Sequence, residues 1–185
     1  MKGILLAMTV LVVGTVSAGI NHPVDIERIR EDVNGIAVVR TVGSPGHAAV
    51  RQMIVGQIEA LNAAASVRAG ELFERLWTVE LDEFTDSTPH GPKIFANIIA
   101  TLNPHNNQDE RIVFAAHYDS KHFADAAFVG ATDSAVPCAL LLDIARFLSE
   151  LYFPFRFDFP LSFSNLLAFL FEVMQMQPNC GTNQV

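Results

Sequence analysis

The side chains best equipped for chemistry are His117, Asp119 and Asp133. They fall in two polar runs, His117-Tyr118-Asp119-Ser120-Lys121 and Val129-Gly130-Ala131-Thr132-Asp133-Ser134-Ala135-Val136-Pro137-Cys138. An imidazole and carboxylates are the groups that bind divalent metals and move protons near neutral pH. His117 and Asp119 are alternate residues, so in extended backbone they point the same way. That suits a histidine ligand with a carboxylate to orient it. Asp133 stands just before an apolar stretch of helical character, where it can cap free amides or take a metal. Each residue also has an ordinary role: Asp133 as a helix N-cap, His117 as a hydrogen-bonded strand-end histidine, Asp119 as a turn residue. Spacing alone does not choose between the two. Lys121, His122 and Asp125 read as solvated loop positions.

The flanking segments are those needed to position such a site. Arg111-Ile112-Val113-Phe114-Ala115-Ala116 reads as a short apolar strand, and its composition predicts cover on both faces of a sheet. A loop from His117 to Thr132 follows, then a strongly apolar helix over Ala135–Leu148. Strand, polar loop and helix in this order are an α/β signature, with ligands at the carboxyl ends of strands. Upstream, Val50, Met53, Ile54, Ile58 and Leu61 recur at three- and four-residue steps, predicting an amphipathic helix opened by Ser44-Pro45-Gly46. Leu76–Phe84 and Ile94–Leu102 read as an antiparallel pair of strands joined by a Ser87–Pro92 loop, and Pro104–Glu110 as a polar turn.

Composition limits the partners. The net charge of −8 argues against nucleic acid or an anionic membrane as the main partner. Half of the residues are hydrophobic and 17% are charged, which excludes a disordered chain. Two cysteines, Cys138 and Cys180, exclude a disulfide-dense scaffold. Lys2, the apolar run Ile4–Val13 and the small residues Val16-Ser17-Ala18 predict a signal peptide over 1–18, and hence a secreted protein. Residues 19–150 have ordinary soluble composition. From residue 151 only Arg156, Asp158 and Glu172 are charged, among seven phenylalanines. That tail, 151–185, reads as a splice or gene-model product, or else as an aromatic cap over a sheet edge. Its charges and Pro160 speak against a membrane span.

Taken whole, the two polar runs resemble those of the glutaminyl-peptide cyclotransferases (glutaminyl cyclases), a zinc branch of an aminopeptidase-like family that also holds di-zinc exopeptidases. Gly43-Ser44-Pro45-Gly46, Phe95-Ala96-Asn97-Ile98-Ile99 and Thr101-Leu102-Asn103-Pro104 are similar to further landmarks of that family, and the resemblance spans roughly residues 25–148. It implies a mixed central sheet flanked by helices, and conversion of the N-terminal glutamine of peptides or proteins to pyroglutamate. In that reaction the α-amine attacks the side-chain amide carbonyl and ammonia leaves. The resemblance also implies one zinc acting as Lewis acid, held by an aspartate, a glutamate and a histidine, with a neighbouring carboxylate shuttling the proton. Asp133 matches the aspartate ligand. His117 matches a histidine that binds metal in the di-zinc relatives and stays off the zinc in the cyclases, so His117 and Asp119 are expected to support the site rather than ligate.

Other parts of the family pattern have no counterpart. The later Gly-Glu-Glu run is missing, the acids after Asp133 being Asp143, Glu150, Asp158 and Glu172. Glu172 ends an apolar run and reads as a segment end. No histidine follows His122. One carboxylate does not hold zinc tightly, so the 185 residues are expected to be a truncated, inactive form in which no residue is assigned as catalytic. Ala116 stands where many secreted members carry a cysteine that pairs with the one matching Cys138. Cys138 is therefore expected to be buried and free, or paired with Cys180. The alternatives are a di-zinc aminopeptidase with His117 on a second metal, and a non-catalytic fragment that binds peptides or proteins.

Overall fold

Asp25 starts the first helix by accepting the Arg28 amide on its carboxylate at 3.0 Å, and α1 runs Ile26–Ile36. Ser44 does the same for α2, Pro45–Ala69: its Oγ accepts the His47 amide at 3.2 Å and its carbonyl the Ala48 amide at 3.1 Å. Pro45 takes the first helical position, where a missing amide proton costs nothing. These helices belong to a computed structural model that describes residues 24–69, 75–102, 111–157 and 168–174. The expected signal peptide, the Pro104–Glu110 turn and Cys180 lie outside them.

Strands β1 (Trp77–Thr88) and β2 (Gly91–Leu102) form the expected antiparallel pair, in register from Trp77 opposite Leu102 to Thr88 opposite Gly91. The connection is shorter than the sequence suggests, because the ends of the expected Ser87–Pro92 loop join the ladder and leave only Pro89 and His90 to turn. Strand β3 is Arg111–His117, helix α3 is Val136–Phe157 and strand β4 is Ala168–Met174. The sheet order is β1-β2-β4-β3, with β4 antiparallel to β2 and parallel to β3. The result is the expected α/β fold with a mixed sheet.

The structure departs from expectation at β3, α3 and β4. Among the described residues β3 ends the sheet and Val113 is 50% exposed, so the strand is an edge covered on one face rather than an inner strand covered on both. Its partly buried residues, Phe114 and Ala116, pack against the core that the helices build. Second, α3 runs through the composition change at residue 150 instead of ending near Leu148. Third, Ala168–Met174 pairs on both sides inside the sheet rather than capping its edge. Glu172, opposite Ile99 on one side and Ala115 on the other, is an interior strand position and not a segment end.

The core is a single cluster. Val50, Ile54, Ile58 and Ala65 form one stripe of α2, and Ile98, Ala100 and Leu102 alternate along β2. Cys138, Ala139, Leu142 and Ala145 contribute from α3. Trp77, wholly buried, is fixed at three points. The Asn62 side chain accepts its amide at 2.8 Å and donates to its carbonyl at 3.0 Å, and its indole Nε1 donates to Ser149 Oγ at 2.8 Å. A buried ion pair joins α1 to α3, with Arg146 Nη2 2.7 Å from Asp32 Oδ2. Gln57 of α2 bridges it, donating to Asp32 Oδ1 and accepting from Arg146 Nη2, each at 3.1 Å. The direct contact is close but does not make a well-aligned hydrogen bond for Asp32 Oδ2, and Arg146 Nη1, which takes no part in it, also lacks one.

Candidate functional site

The three residues singled out by type and spacing meet where β3 ends. His117, the last residue of β3, places its Nε2 2.8 Å from Asp133 Oδ1. Its Nδ1 lies 3.2 Å from the Asp119 carbonyl oxygen and 3.4 Å from Asp119 Oδ1. Asp119 is buried, whereas the Asp133 side chain is 74% exposed and open to whatever approaches from solvent. The hydrogen bond to the Asp119 side chain raises the His117 pKa to about 9; burial opposes this, and the bond to Asp133 adds to it. At neutral pH His117 is therefore an imidazolium between two carboxylates, donating from both nitrogens.

Asp133 reaches His117 because residues 131–135 do not continue the helix. Gly130 has φ +52, and Asp133 and Ser134 have φ/ψ of −125/85 and −136/38, outside helical space. The Asp133–Ser134 peptide is cis. A Cβ on Gly130 would stand 2.3 Å from the Asp133 carbonyl oxygen, so this turn accepts no larger residue unchanged. The Ser134 hydroxyl and the Cys138 thiol, the latter at 3.2 Å, both donate to the His117 carbonyl. Asp133, read from spacing as an N-cap, instead spends its carboxylate on His117, and α3 begins three residues later. Tyr118, between His117 and Asp119, is wholly buried; its hydroxyl donates to the Ala96 carbonyl at 2.8 Å, and its ring stacks on His47 at 4.8 Å.

These donors do not make a zinc site by themselves. Both imidazole nitrogens of His117 are engaged, Nε2 with Asp133 and Nδ1 with Asp119. Burial pushes the Cys138 thiol up to about 11, so it is not a thiolate; it is buried and free, the first of the two expected states, while Cys180 lies outside the described residues. Among the described residues no three His, Cys, Asp or Glu side chains are grouped to hold a metal ion, and a tight site needs at least three protein ligands.

Sequence reasoning missed Arg40 and gave no role to Ser120, Gly130 and Ser134, although the two polar runs contain them; all four lie against this site. Arg40 had a signal: it is a lone charge following Ala37-Val38-Val39, and it is wholly buried.

A mixed sheet flanked by helices, with polar residues gathered past the end of a strand, defines a class met among known proteins: residues 97–165 match Peptidase family M28. Within that class the chain resembles the glutaminyl-peptide cyclotransferases. It is 41% identical to the glutaminyl-peptide cyclotransferase of Bos taurus over 133 residues, covering 70% of this chain and 33% of that protein. With the one from Bothrops jararaca it shares 43% over 138 residues, 72% of this chain and 31% of the other. The crystal structure of Macrostomum lignano glutaminyl cyclase superposes with a TM-score of 0.64 at 30% identity, covering 86% of this chain and 41% of that one. The chain thus spans about a third of the length of the curated relatives it matches. The resemblance expected from the sequence is found, and the match to Peptidase family M28 runs past the composition change at residue 150.

Proposed function

We propose that residues 25–148 are part of a glutaminyl-peptide cyclotransferase. The substrate is the N-terminal glutamine of a peptide or protein, whose α-amine closes on its own side-chain amide with release of ammonia. Asp133 is this segment's contribution toward zinc, and His117 and Asp119 orient and balance it. The observation that carries the reading is the His117–Asp133 contact at 2.8 Å, backed by Asp119, at the end of β3 in a chain so similar to cyclotransferases. With one carboxylate available, the 185 residues alone are expected to be inactive. Secretion, through a signal peptide ending at Ala18, is part of the proposal; a purified cellular protein beginning at Met1 would contradict it.

A chimera tests the function. Residues 25–148 replace the aligned segment of the Bos taurus cyclotransferase, and ammonia release from a glutamine-initiated peptide is followed. Activity that disappears in the Asp133→Ala chimera supports the assignment, and a folded chimera without activity refutes it. Residues 19–185 alone should show no turnover with or without added zinc. Zinc-dependent ammonia release, abolished by Asp133→Ala, would show that this chain supplies its own further ligands.

A further inference from the structure

We propose that Arg40 is the positioning residue of this site, a clamp that fixes the segment bearing Asp119 against the segment bearing Asp133. What the site does rests on the function proposed above, whereas the clamp is a matter of geometry alone. Arg40 lies in the connection between α1 and α2, far in sequence from both segments, and none of it is exposed. Its Nε donates to the Tyr118 carbonyl at 2.7 Å, one residue before Asp119. Its Nη2 donates to the Gly130 carbonyl at 3.1 Å, and Nη1 donates to the carbonyls of Val129 and, at 3.2 Å, Val38. On the far side of Asp119, the Arg40 amide donates to Ser120 Oγ at 3.0 Å and the Ser120 amide returns to the Arg40 carbonyl at 3.2 Å. Asp119 is thus bracketed by contacts to one residue.

The same guanidinium fixes the other segment at its root. The Gly130 carbonyl that Arg40 holds also accepts the Ala135 amide at 3.1 Å, closing the turn that carries Asp133. A guanidinium is a planar fork of five donors, and these carbonyls meet it along its edges; a lysine, a point charge with rotatable donors, does not reproduce the pattern. A cation taken out of water is costly unless its donors are met and counter-charges are near. Burial pulls the Arg40 pKa down, and Cys138, Asp119 and Asp133 oppose that shift. A residue that only filled space would be apolar here; this one links the carboxylates to each other through backbone that it holds.

A purely structural arginine and a positioning one differ in what its loss disturbs. Nuclear magnetic resonance of the full chain with chelator present reads both: the His117 Nε2–H signal reports the bond to Asp133, and the indole Nε1–H of the single tryptophan, Trp77, reports the distant core. The expected result is that Arg40→Lys and Arg40→Met keep the Trp77 signal and lose the His117 signal. A His117 signal unmoved in either folded variant overturns the proposal. If neither variant folds, Ser120→Ala decides, since it removes only the bond to the Arg40 amide. A shifted His117 signal with Trp77 unmoved then supports the clamp, and an unmoved His117 signal overturns it. None of these readings needs turnover, so an inactive chimera counts against the proposed function and leaves this test standing.

Discussion

His47 shows how one residue ties stability to acidity. Burial, with Arg51 and Arg40 nearby and only Asp119 opposing, holds its pKa down at about 4, so the folded protein keeps it neutral against the Tyr118 ring. In the unfolded chain the same imidazole titrates near ~6.5. Its contribution is therefore complete above about pH 6.5 and falls away as the pH drops toward 4, by about 1.4 kcal/mol per pH unit. Urea unfolding of His47→Phe, which keeps a ring on Tyr118, should show a smaller loss between pH 7 and pH 4.5 than the parent. Equal losses would mean that other groups set the acid sensitivity. Gly130 is the second residue on which much depends. Gly130→Ala places a Cβ against the Asp133 carbonyl and forces an L-residue into left-handed backbone, which by itself costs about 1–2 kcal/mol. Lowered thermal stability together with a displaced His117 signal is the expected outcome, and an unchanged melting curve would contradict the geometry.

Between elements, polar side chains do work that no hydrophobic pattern announces. Asn62 satisfies both backbone groups of Trp77, so Asn62→Ala leaves two buried partners unmet and should destabilise by about 2–4 kcal/mol in chemical denaturation. Arg146→Leu strands the buried Asp32 and should cost about 3–5 kcal/mol, whereas Asp32→Leu with Arg146→Leu should recover most of that loss. A double variant no better than the single one would show that Gln57, not Arg146, balances Asp32. These bonds explain which parts of the fold were legible. The α2 stripe and the β1–β2 pair are periodic, and period is what sequence displays. Asn62, Arg40 and Arg146 act across distances of 15, 78 to 90 and 89 residues, where no local pattern points. His117, Asp119 and Asp133 were legible through their types and the runs around them. Their mutual contacts were not, because those depend on the turn at Gly130.

For the whole molecule, the position of β3 matters most. Among the described residues it ends the sheet order, with Val113 half exposed. An open edge beside apolar surface favours association. Residues 19–185 should elute from a sizing column as more than a monomer, and Val113→Lys should shift the elution toward monomer. A single monomeric peak with one cooperative unfolding transition in the parent would show that the edge is harmless. Among the described residues no helix is long and apolar enough to cross a membrane. The sheet order also has a consequence for biosynthesis. Strand β4 occupies the place between β2 and β3, yet it is the last of the four to be made, and β3 ends at His117 while β4 begins only at Ala168. At about 5–20 residues per second, a ribosome takes roughly 2.5–10 s to cross that interval. For that time the β1–β2 hairpin and β3 coexist on the nascent chain with a gap that nothing yet made can fill, a period in which holding chaperones have their target.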